Sequence, residues 1–185
     1  TVAEAMRLRA VDPDAAVSTM PTPFLTGEVG GRPVDGFDVG NSPSAIRSLD
    51  LSGRRVIQRS SSGTQGVVAA TQADEIVLGS FVTASATCRY LAARADLVTI
   101  VAMGDEGLRP AEEDEACAAY LEGLLLRRAV DRPPALLMRS GWEDRLWPDW
   151  FPRSDAELAC EVDRFDFALP VVREDGLLIA RPVRS

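Results

Sequence analysis

Residues 36–43 read Gly-Phe-Asp-Val-Gly-Asn-Ser-Pro, and this stretch predicts how the chain around it folds. Ser42 is a typical helix N-cap, and Pro43 suits the first helical position, because the N–H that proline lacks would have no partner there. Asp38 therefore lies in a loop just before a helix, and the flanking glycines let that loop approach a ligand closely. The same residues also suit a capped turn that binds nothing, so both interpretations stay open on this stretch alone.

After residue 42 the hydrophobic pattern alternates between helical and strand periodicity. It predicts helices over 43–49, 64–73, 83–94 and 111–130 and strands over 54–60, 75–79 and 97–103. We therefore expect one α/β domain over residues 1–185, built as a three-layer α/β/α sandwich with a mixed, largely parallel sheet. In such sheets ligands bind where strands end and helices begin.

The two ends of the chain carry weaker signals. Residues 1–4, Thr-Val-Ala-Glu, form a capping box that predicts a helix, and residues 154–157 form a second one that predicts a helix reaching about residue 164. Residues 14–19 suit a short strand, and proline and glycine predict a long irregular connection over 21–33. Residues 174–176 suit a turn between two strands.

Composition excludes several classes of partner. The 185 residues are 46% hydrophobic and carry a formal net charge of −8, which disfavours nucleic acid and anionic membrane as partners. There is no run of about 18 apolar residues and no signal-peptide pattern, so we expect a soluble cytoplasmic protein. The spacing of Cys88, Cys117 and Cys160 argues against a disulfide framework and a zinc site.

The sequence has neither histidine nor lysine. Serine–histidine and cysteine–histidine catalysis, histidine metal ligands, a Walker A loop and a lysine Schiff base are therefore excluded. Carboxylate, hydroxyl, thiol, arginine and backbone groups remain. That set suits an oxygen-liganded cation such as Mg²⁺ acting on a phosphate ester.

Two strand-to-helix turns are rich in hydroxyl and backbone N–H donors. The first is residues 60–64, Ser-Ser-Ser-Gly-Thr, and the second is Gly79-Ser80. We predict that they hold the oxygens of a small anion, although a serine-rich N-cap explains the first turn equally well. The predicted substrate-binding residues are Ser61, Ser62, Gly63, Thr64, Gly79 and Ser80.

The helix predicted from residue 111 begins with four acidic residues, a pattern that also suits the helix dipole. Helical spacing places Asp114, with Glu113 beside it, on the same apolar face as Cys117. A carboxylate on such a face needs a partner or a metal ion. Cys117 lacks the Cys-x5-Arg loop of cysteine phosphatases, so we interpret it as a small core residue.

Aromatic residues cluster near the C-terminal quarter. Trp142, Trp147 and Trp150 lie within nine residues beside Phe151. Such a cluster indicates a lid over one core edge or a contact between subunits, with ligand stacking as the third alternative, and we expect a homo-oligomer.

Five stretches in this order resemble the 2-phosphosulfolactate phosphatase family, Mg²⁺-dependent hydrolases of coenzyme M biosynthesis. They are residues 36–43, residues 60–64, Gly79-Ser80-Phe81, residues 104–107 with 113–118, and the tail around Cys160, Asp163 and Pro170. The resemblance implies hydrolysis of 2-phospho-3-sulfolactate to 3-sulfolactate and phosphate. It also implies Asp38, Glu113 and Asp114 as metal ligands and, with Asn41, as catalytic residues.

The sequence departs from the family pattern at several positions. Val29 replaces an arginine of a Glu-Arg-Gly-Gly stretch, and Ser62 and Thr83 stand where the family favours asparagine. The family's N-terminal Asp-x-x-Arg-Ala-Thr-like strand motif is absent, so we expect a chain truncated at its N-terminus, with a member that has lost part of its site as the alternative. A related phosphorylated acid as substrate, and a non-catalytic protein that binds a small anion or assembles, are the alternatives.

Overall fold

The computed structural model describes residues 1–10, 22–130 and 147–184. Six helices are described: α1 (Val2–Ala10), α2 (Pro43–Arg47), α3 (Gly63–Ala69), α4 (Ala84–Ala92), α5 (Glu112–Leu125) and α6 (Arg153–Ala159). A 3₁₀ turn, Phe81–Thr83, precedes α4. Six strands accompany them: β1 (Phe24–Val29), β2 (Arg32–Pro33), β3 (Val56–Arg59), β4 (Ile76–Leu78), β5 (Leu169–Glu174) and β6 (Leu177–Ala180).

The strands form two three-stranded sheets, in the orders β2-β1-β3 and β4-β5-β6. Only β1 and β3 pair in parallel among the described strands, and Gly27 lies opposite Arg59 in their register. The β2, β5 and β6 pairings are antiparallel. The α/β class is therefore confirmed, whereas the three-layer sandwich with a largely parallel sheet is not, because the sheets are small and mostly antiparallel.

Side-chain caps place the N-terminal starts of α1 and α2 where the sequence predicts them. The Thr1 hydroxyl accepts a hydrogen bond of 3.1 Å from the Glu4 N–H, and the Ser42 hydroxyl accepts one of 3.2 Å from the Ala45 N–H. Pro43 is the first residue of α2. The turn at Asp175 and Gly176 joins β5 to β6 as expected.

Three predictions of secondary structure are wrong. Part of the expected irregular connection is the hairpin β1–β2, because Gly30 and Gly31 adopt φ of +56° and +74° and reverse the chain. Residues 97–103 form no strand, and Leu97 and Val101 are 86% and 68% exposed. A strand needs a neighbour for its backbone groups, and local hydrophobicity does not supply one.

The third error is the start of α6, which follows Pro152 without a side-chain cap instead of starting from the residue 154–157 capping box. The strand predicted at 14–19 and the residue Trp142 lie outside the described residues. Within the described ranges, no helix is long and apolar enough to cross a membrane.

Helices α4 and α5 pack against each other and form the centre of one hydrophobic cluster. Ala84, Cys88 and Leu121 are buried there, with Ile100 and Cys117 packed around them. Outside this cluster, β1 is buried at Phe24 and Leu25. The strand-to-helix turns of residues 60–64 and 79–80 lie between these two regions in sequence.

Candidate active-site cleft

A cleft of about 890 Å³ opens between α4, α5 and the stretch 97–103. Four residues predicted to bind substrate or metal line it, although they come from three separate segments: Ser62, Gly63, Gly79 and Asp114. Cys117 and Leu121 give the cleft an apolar side. The structure therefore gathers part of the predicted site in one concave place.

Gly104 links the serine-rich turn to the acidic helix. Its carbonyl oxygen accepts a hydrogen bond of 2.8 Å from the Ser62 hydroxyl, and its N–H donates one of 2.6 Å to Oδ2 of Asp114. Gly104 has φ +63°, and a Cβ there would lie 2.0 Å from the Arg109 carbonyl oxygen. Only glycine fits this position, so the link depends on it.

Ser60 and Thr64 cap each other across the same turn. The Thr64 N–H donates to the Ser60 hydroxyl and the Ser60 N–H donates to the Thr64 hydroxyl, each at 3.0 Å. The Thr64 hydroxyl also contacts the Ser60 carbonyl oxygen, at 2.9 Å. Thr64 therefore stabilises the turn. This is the structural role that the sequence leaves open as the alternative to substrate binding.

Ser61 already holds a carboxylate of the protein. The Glu28 carboxylate accepts a hydrogen bond from the Ser61 N–H through Oε1. Its Oε2 accepts from the Ser61 hydroxyl at 3.0 Å and from the Gly31 N–H at 2.8 Å. The donors that we predicted for a substrate anion are therefore used by a side chain at the end of β1.

Arg59, which sequence analysis did not single out, lies at the same place. Its Nη1 donates to the Ser61 hydroxyl at 2.9 Å and to the Glu28 carbonyl oxygen. Its Nε is buried and has no hydrogen-bond partner. Because β1 and β3 pair in parallel, Glu28 and Arg59 lie near the same end of two neighbouring strands. This strand order is the signal that would have identified both as candidate site residues.

Asp38 lies nearer the start of β1. Its Oδ2 accepts a hydrogen bond of 2.8 Å from the Leu25 N–H, and its Oδ1 lies 3.2 Å from Nη2 of Arg9. The side chain is 28% exposed. Because Leu25 precedes Glu28 by three residues, the position of Asp38 along β1 is about 10 Å from that of the Glu28–Ser61 contact. Asp38 does not line the cleft.

Asn41 and Asp155 present buried acceptors near the start of α2. The Asn41 Oδ1 atom is buried without a partner. Asp155 is 0% exposed, accepts a hydrogen bond of 2.8 Å from the Ser44 N–H through Oδ1, and leaves Oδ2 unpaired. Asp155 thus ties α6 to α2 across 111 residues of sequence, a contact that no local pattern predicts.

Glu113 is exposed on α5, and its charge helps to raise the pKa of the Cys160 thiol, after burial as the larger cause. In residues 1–10, 22–130 and 147–184, no three acidic or cysteine side chains cluster closely enough to hold a metal ion. Of the three predicted ligands, Asp114 is the one that lines the cleft.

The two residues of the second predicted donor turn, Gly79 and Ser80, have different surroundings. Gly79 lines the cleft, where a Cβ would lie 3.0 Å from Cδ1 of Leu121. The Ser80 hydroxyl instead lies 3.0 Å from the Thr83 hydroxyl, inside the 3₁₀ turn. Close to that turn, Asp163 accepts hydrogen bonds of 2.7 Å from both the N–H and the hydroxyl of Ser85.

The cysteines at the cleft are poor nucleophiles. Burial raises the pKa of the Cys117 thiol to about 11, and the Asp114 charge acts in the same direction. Burial also raises the pKa of Cys88 to about 11. Since the thiolate is the reactive form, both residues are inert thiols at neutral pH. The interpretation of Cys117 as a core residue agrees with this.

The fold and the cleft define an α/β protein with a small-ligand site built from strand-to-helix turns and one acidic helix. Comparison with known families identifies it further. The chain belongs to the 2-phosphosulpholactate phosphatase family, whose model matches residues 2–145.

Individual relatives agree with this assignment. Proteins named "Probable 2-phosphosulfolactate phosphatase" are 37% identical over 177 residues in Carboxydothermus hydrogenoformans and 30% identical over 195 aligned residues in Synechococcus sp. strain RCC307. These alignments cover 87% and 89% of this chain and 73% and 77% of the relatives.

A third relative, from Deinococcus radiodurans, is 35% identical over 126 residues, covering 66% of this chain and 52% of its own. The chain spans about half the length of several curated relatives that it matches, with 46% and 52% for two of them.

Proposed function

We propose that this protein hydrolyses a small anionic phosphomonoester, 2-phospho-3-sulfolactate, with Mg²⁺ as cofactor. Water and the ester would give 3-sulfolactate and inorganic phosphate. The observation that carries the proposal is the position of Gly104, whose two hydrogen bonds join Ser62 to Asp114 at the cleft. Family membership supports the same activity.

The described residues fit Mg²⁺ by donor type. Asp114 offers a carboxylate at the cleft, and Mg²⁺ typically takes one or two protein carboxylates with water and substrate oxygens. An anionic substrate beside Asp114 would otherwise meet repulsion, and Asp74, Glu75 and Asp96 also line the cleft. A bound Mg²⁺ would supply charge neutralisation and Lewis acidity. Asp114 would hold it at the cleft; Glu113 and Asp38 are the further ligands that we propose, although the three carboxylates do not cluster in the described residues and neither of these two lines the cleft.

The chain's own residues then act by binding and orientation. The backbone at Gly63 and Gly79 lets a substrate oxyanion approach closely, because neither residue has a side chain in the way. Ser62 keeps the turn against Gly104, so that its backbone and the Asp114 carboxylate keep one relative position. Asp38 and Asn41 complete the proposed set as acid–base and polar groups on the loop before α2.

A second candidate function is binding of a small anion, or assembly, without catalysis. It is favoured by the contact between Glu28 and Ser61, because a predicted substrate donor is already occupied. The exposed aromatic residues beside α6 favour assembly, and they are the basis on which we propose a homo-oligomer. A cytoplasmic setting, a role in coenzyme M biosynthesis and the three-layer sandwich are further parts of our proposal.

The experiment is a phosphate-release assay with 2-phospho-3-sulfolactate and other small phosphomonoesters, run with Mg²⁺ and with EDTA. We expect release that depends on Mg²⁺ and is fastest with 2-phospho-3-sulfolactate. If phosphate is released only from a different ester, that ester would replace 2-phospho-3-sulfolactate as the proposed substrate. No release from any ester, together with measurable binding of inorganic phosphate, would favour the binding protein.

A further inference from the structure

The ends of β1 and β3 carry a set of donors suited to an oxyanion. The set consists of the Ser61 N–H and hydroxyl, the Gly31 N–H and the Arg59 guanidinium. Two of these residues converge on the Glu28 carboxylate: Ser61 binds both of its oxygens and Gly31 binds one. Three donors on two segments of chain thus bond one negative group, and the Arg59 guanidinium lies beside them on Ser61, which is the composition of an anion-binding site.

Arg59 adds an observation that the Glu28 contact does not explain. Its guanidinium hydrogen-bonds the Ser61 hydroxyl and the Glu28 carbonyl oxygen, while its Nε is buried without a partner. A buried donor of a charged group that lacks a partner is costly. The guanidinium bonds the Glu28 carbonyl oxygen and not its carboxylate, whereas an oxyanion with three or more acceptor oxygens could accept from Ser61 and from this guanidinium together.

We propose that residues Gly31, Arg59 and Ser61 form a subsite for a tetrahedral oxyanion and that the Glu28 carboxylate occupies it until such an anion displaces it. The subsite rests on the proposed function, because the incoming group would be the phosphate or the sulfonate of the substrate. Glu28 then sets the affinity threshold, since an anion that binds must compete with a tethered carboxylate.

Val29 gives this assignment a sequence correlate. It stands where the resembled family has an arginine, and it is exposed at the end of β1. Arg59 follows Gln58 at the end of β3, the strand that pairs with β1. It therefore supplies a guanidinium at the neighbouring strand end. A positive charge is therefore present at this edge of the sheet despite the substitution.

The test measures binding of inorganic phosphate by calorimetry to the unmutated protein and to Glu28→Gln, at constant ionic strength. We expect at least about tenfold tighter binding by Glu28→Gln, because the competing charge is gone while the side chain keeps its size. Methanesulfonate in a parallel arm distinguishes the sulfonate from the phosphate as the preferred group. Binding equal to that of the unmutated protein overturns the proposal.

Glu106→Gln is the matched control. Oε1 of Glu106 would lie 3.4 Å from a Cβ built on Gly30, so the same unit charge is removed at the same edge without freeing the Ser61 donors. We expect a change in affinity below about threefold for this variant, the size of a screened surface effect. An equal gain from both variants would show that general charge, and not occupancy of the donors, is responsible.

Adding Ser61→Ala to Glu28→Gln is expected to abolish the gain, since the double variant lacks a donor of the subsite. If Glu28→Gln fails to fold, amide spectra of the unmutated protein decide instead. Saturating phosphate should then shift the Ser61 and Gly31 N–H signals, and shifts confined to other residues overturn the proposal. Binding is measured without turnover, so loss of phosphatase activity would sink the proposed function and leave the subsite standing.

Discussion

The Asp114 carboxylate accepts a hydrogen bond of 2.6 Å from the Gly104 N–H, and this contact fixes the first turn of α5 against the loop that also holds Ser62. A hydrogen bond from a backbone N–H to a carboxylate oxygen is charge-assisted and orients the carboxylate. Asp114 is also the predicted ligand that faces the cleft. Its position therefore carries the proposed site more directly than that of Asp38 or Glu113.

Asp114→Asn should lower phosphate release by at least about 100-fold, because the amide lacks the charge that the proposed metal and acid–base chemistry requires. The asparagine oxygen can still accept from Gly104, so we expect a loss of stability of only about 1 kcal/mol. The measurements are a phosphate-release assay at saturating Mg²⁺ and a urea unfolding curve. Glu115→Gln, an exposed change on the same helix, is the control and should leave both unchanged. Equal activity of Asp114→Asn and the unmutated protein would contradict the assignment.

Local patterns predicted the parts of the site that are fixed locally. Ser42 and Pro43 begin α2 because cap chemistry involves neighbours in sequence, and residues 60–64 form a turn for the same reason. The partner of Ser61 was missed because Glu28 lies 33 residues away. The contact depends on which strands pair. Residues 97–103 show the converse, since their apolar pattern predicts a strand that does not form.

Mg²⁺ should stabilise the folded protein if the proposed metal site exists. At a concentration 100 times the dissociation constant, a ligand specific for the folded state adds about 2.7 kcal/mol. For a protein of this size we therefore expect the unfolding midpoint to rise by roughly 5–10 °C when Mg²⁺ replaces EDTA in a calorimetric scan. NaCl at equal ionic strength and the Asp114→Asn variant are the controls and should show much smaller shifts. An unchanged midpoint for the unmutated protein would count against the metal site.

Cys117→Ala should keep activity within about threefold, because a protonated thiol provides no nucleophile. The raised pKa fixes the direction of the pH dependence: the thiolate appears only as the pH rises towards about 11. Alkylation of Cys117 by iodoacetamide should therefore still be accelerating above about pH 10, where an ordinary thiol is almost fully ionised and has levelled off. Mass spectrometry of labelled peptides measures this, with a cysteine-containing unfolded peptide as reference. Fast labelling at pH 7, or inactivity of the alanine variant with its fold retained, would restore the cysteine mechanism.

Trp150 is the aromatic side chain on which the proposed self-association depends. It is exposed, with the Arg32 guanidinium 5.2 Å from its ring centre, and Trp147 stacks on Phe151 close by. Trp150→Ser should reduce the molar mass seen by light scattering, because an exposed aromatic is a typical anchor of an interface. Phe165→Ser removes another exposed aromatic and should leave the mass unchanged. A monomer in the unmutated protein at working concentration would end this proposal.

Asp38→Asn separates a structural role from a catalytic one. The carboxylate bonds the Leu25 N–H and pairs with Arg9, and an asparagine keeps the first contact while losing the second. We expect a stability loss of about 1 kcal/mol, because the pair is partly exposed. The proposed catalytic role predicts a fall in phosphate release of at least about 100-fold at saturating Mg²⁺.

Arg9→Gln is the matched control for Asp38, since it breaks the same ion pair and keeps the carboxylate. If Asp38 acts in catalysis, this variant should retain activity within about threefold, because the charge needed for the chemistry is still present. Circular dichroism checks that both variants fold. Similar losses in Asp38→Asn and Arg9→Gln would mean that the ion pair with α1, and not chemistry at Asp38, supports turnover. Activity of Asp38→Asn close to that of the unmutated protein would make Asp38 a structural residue of the loop before α2.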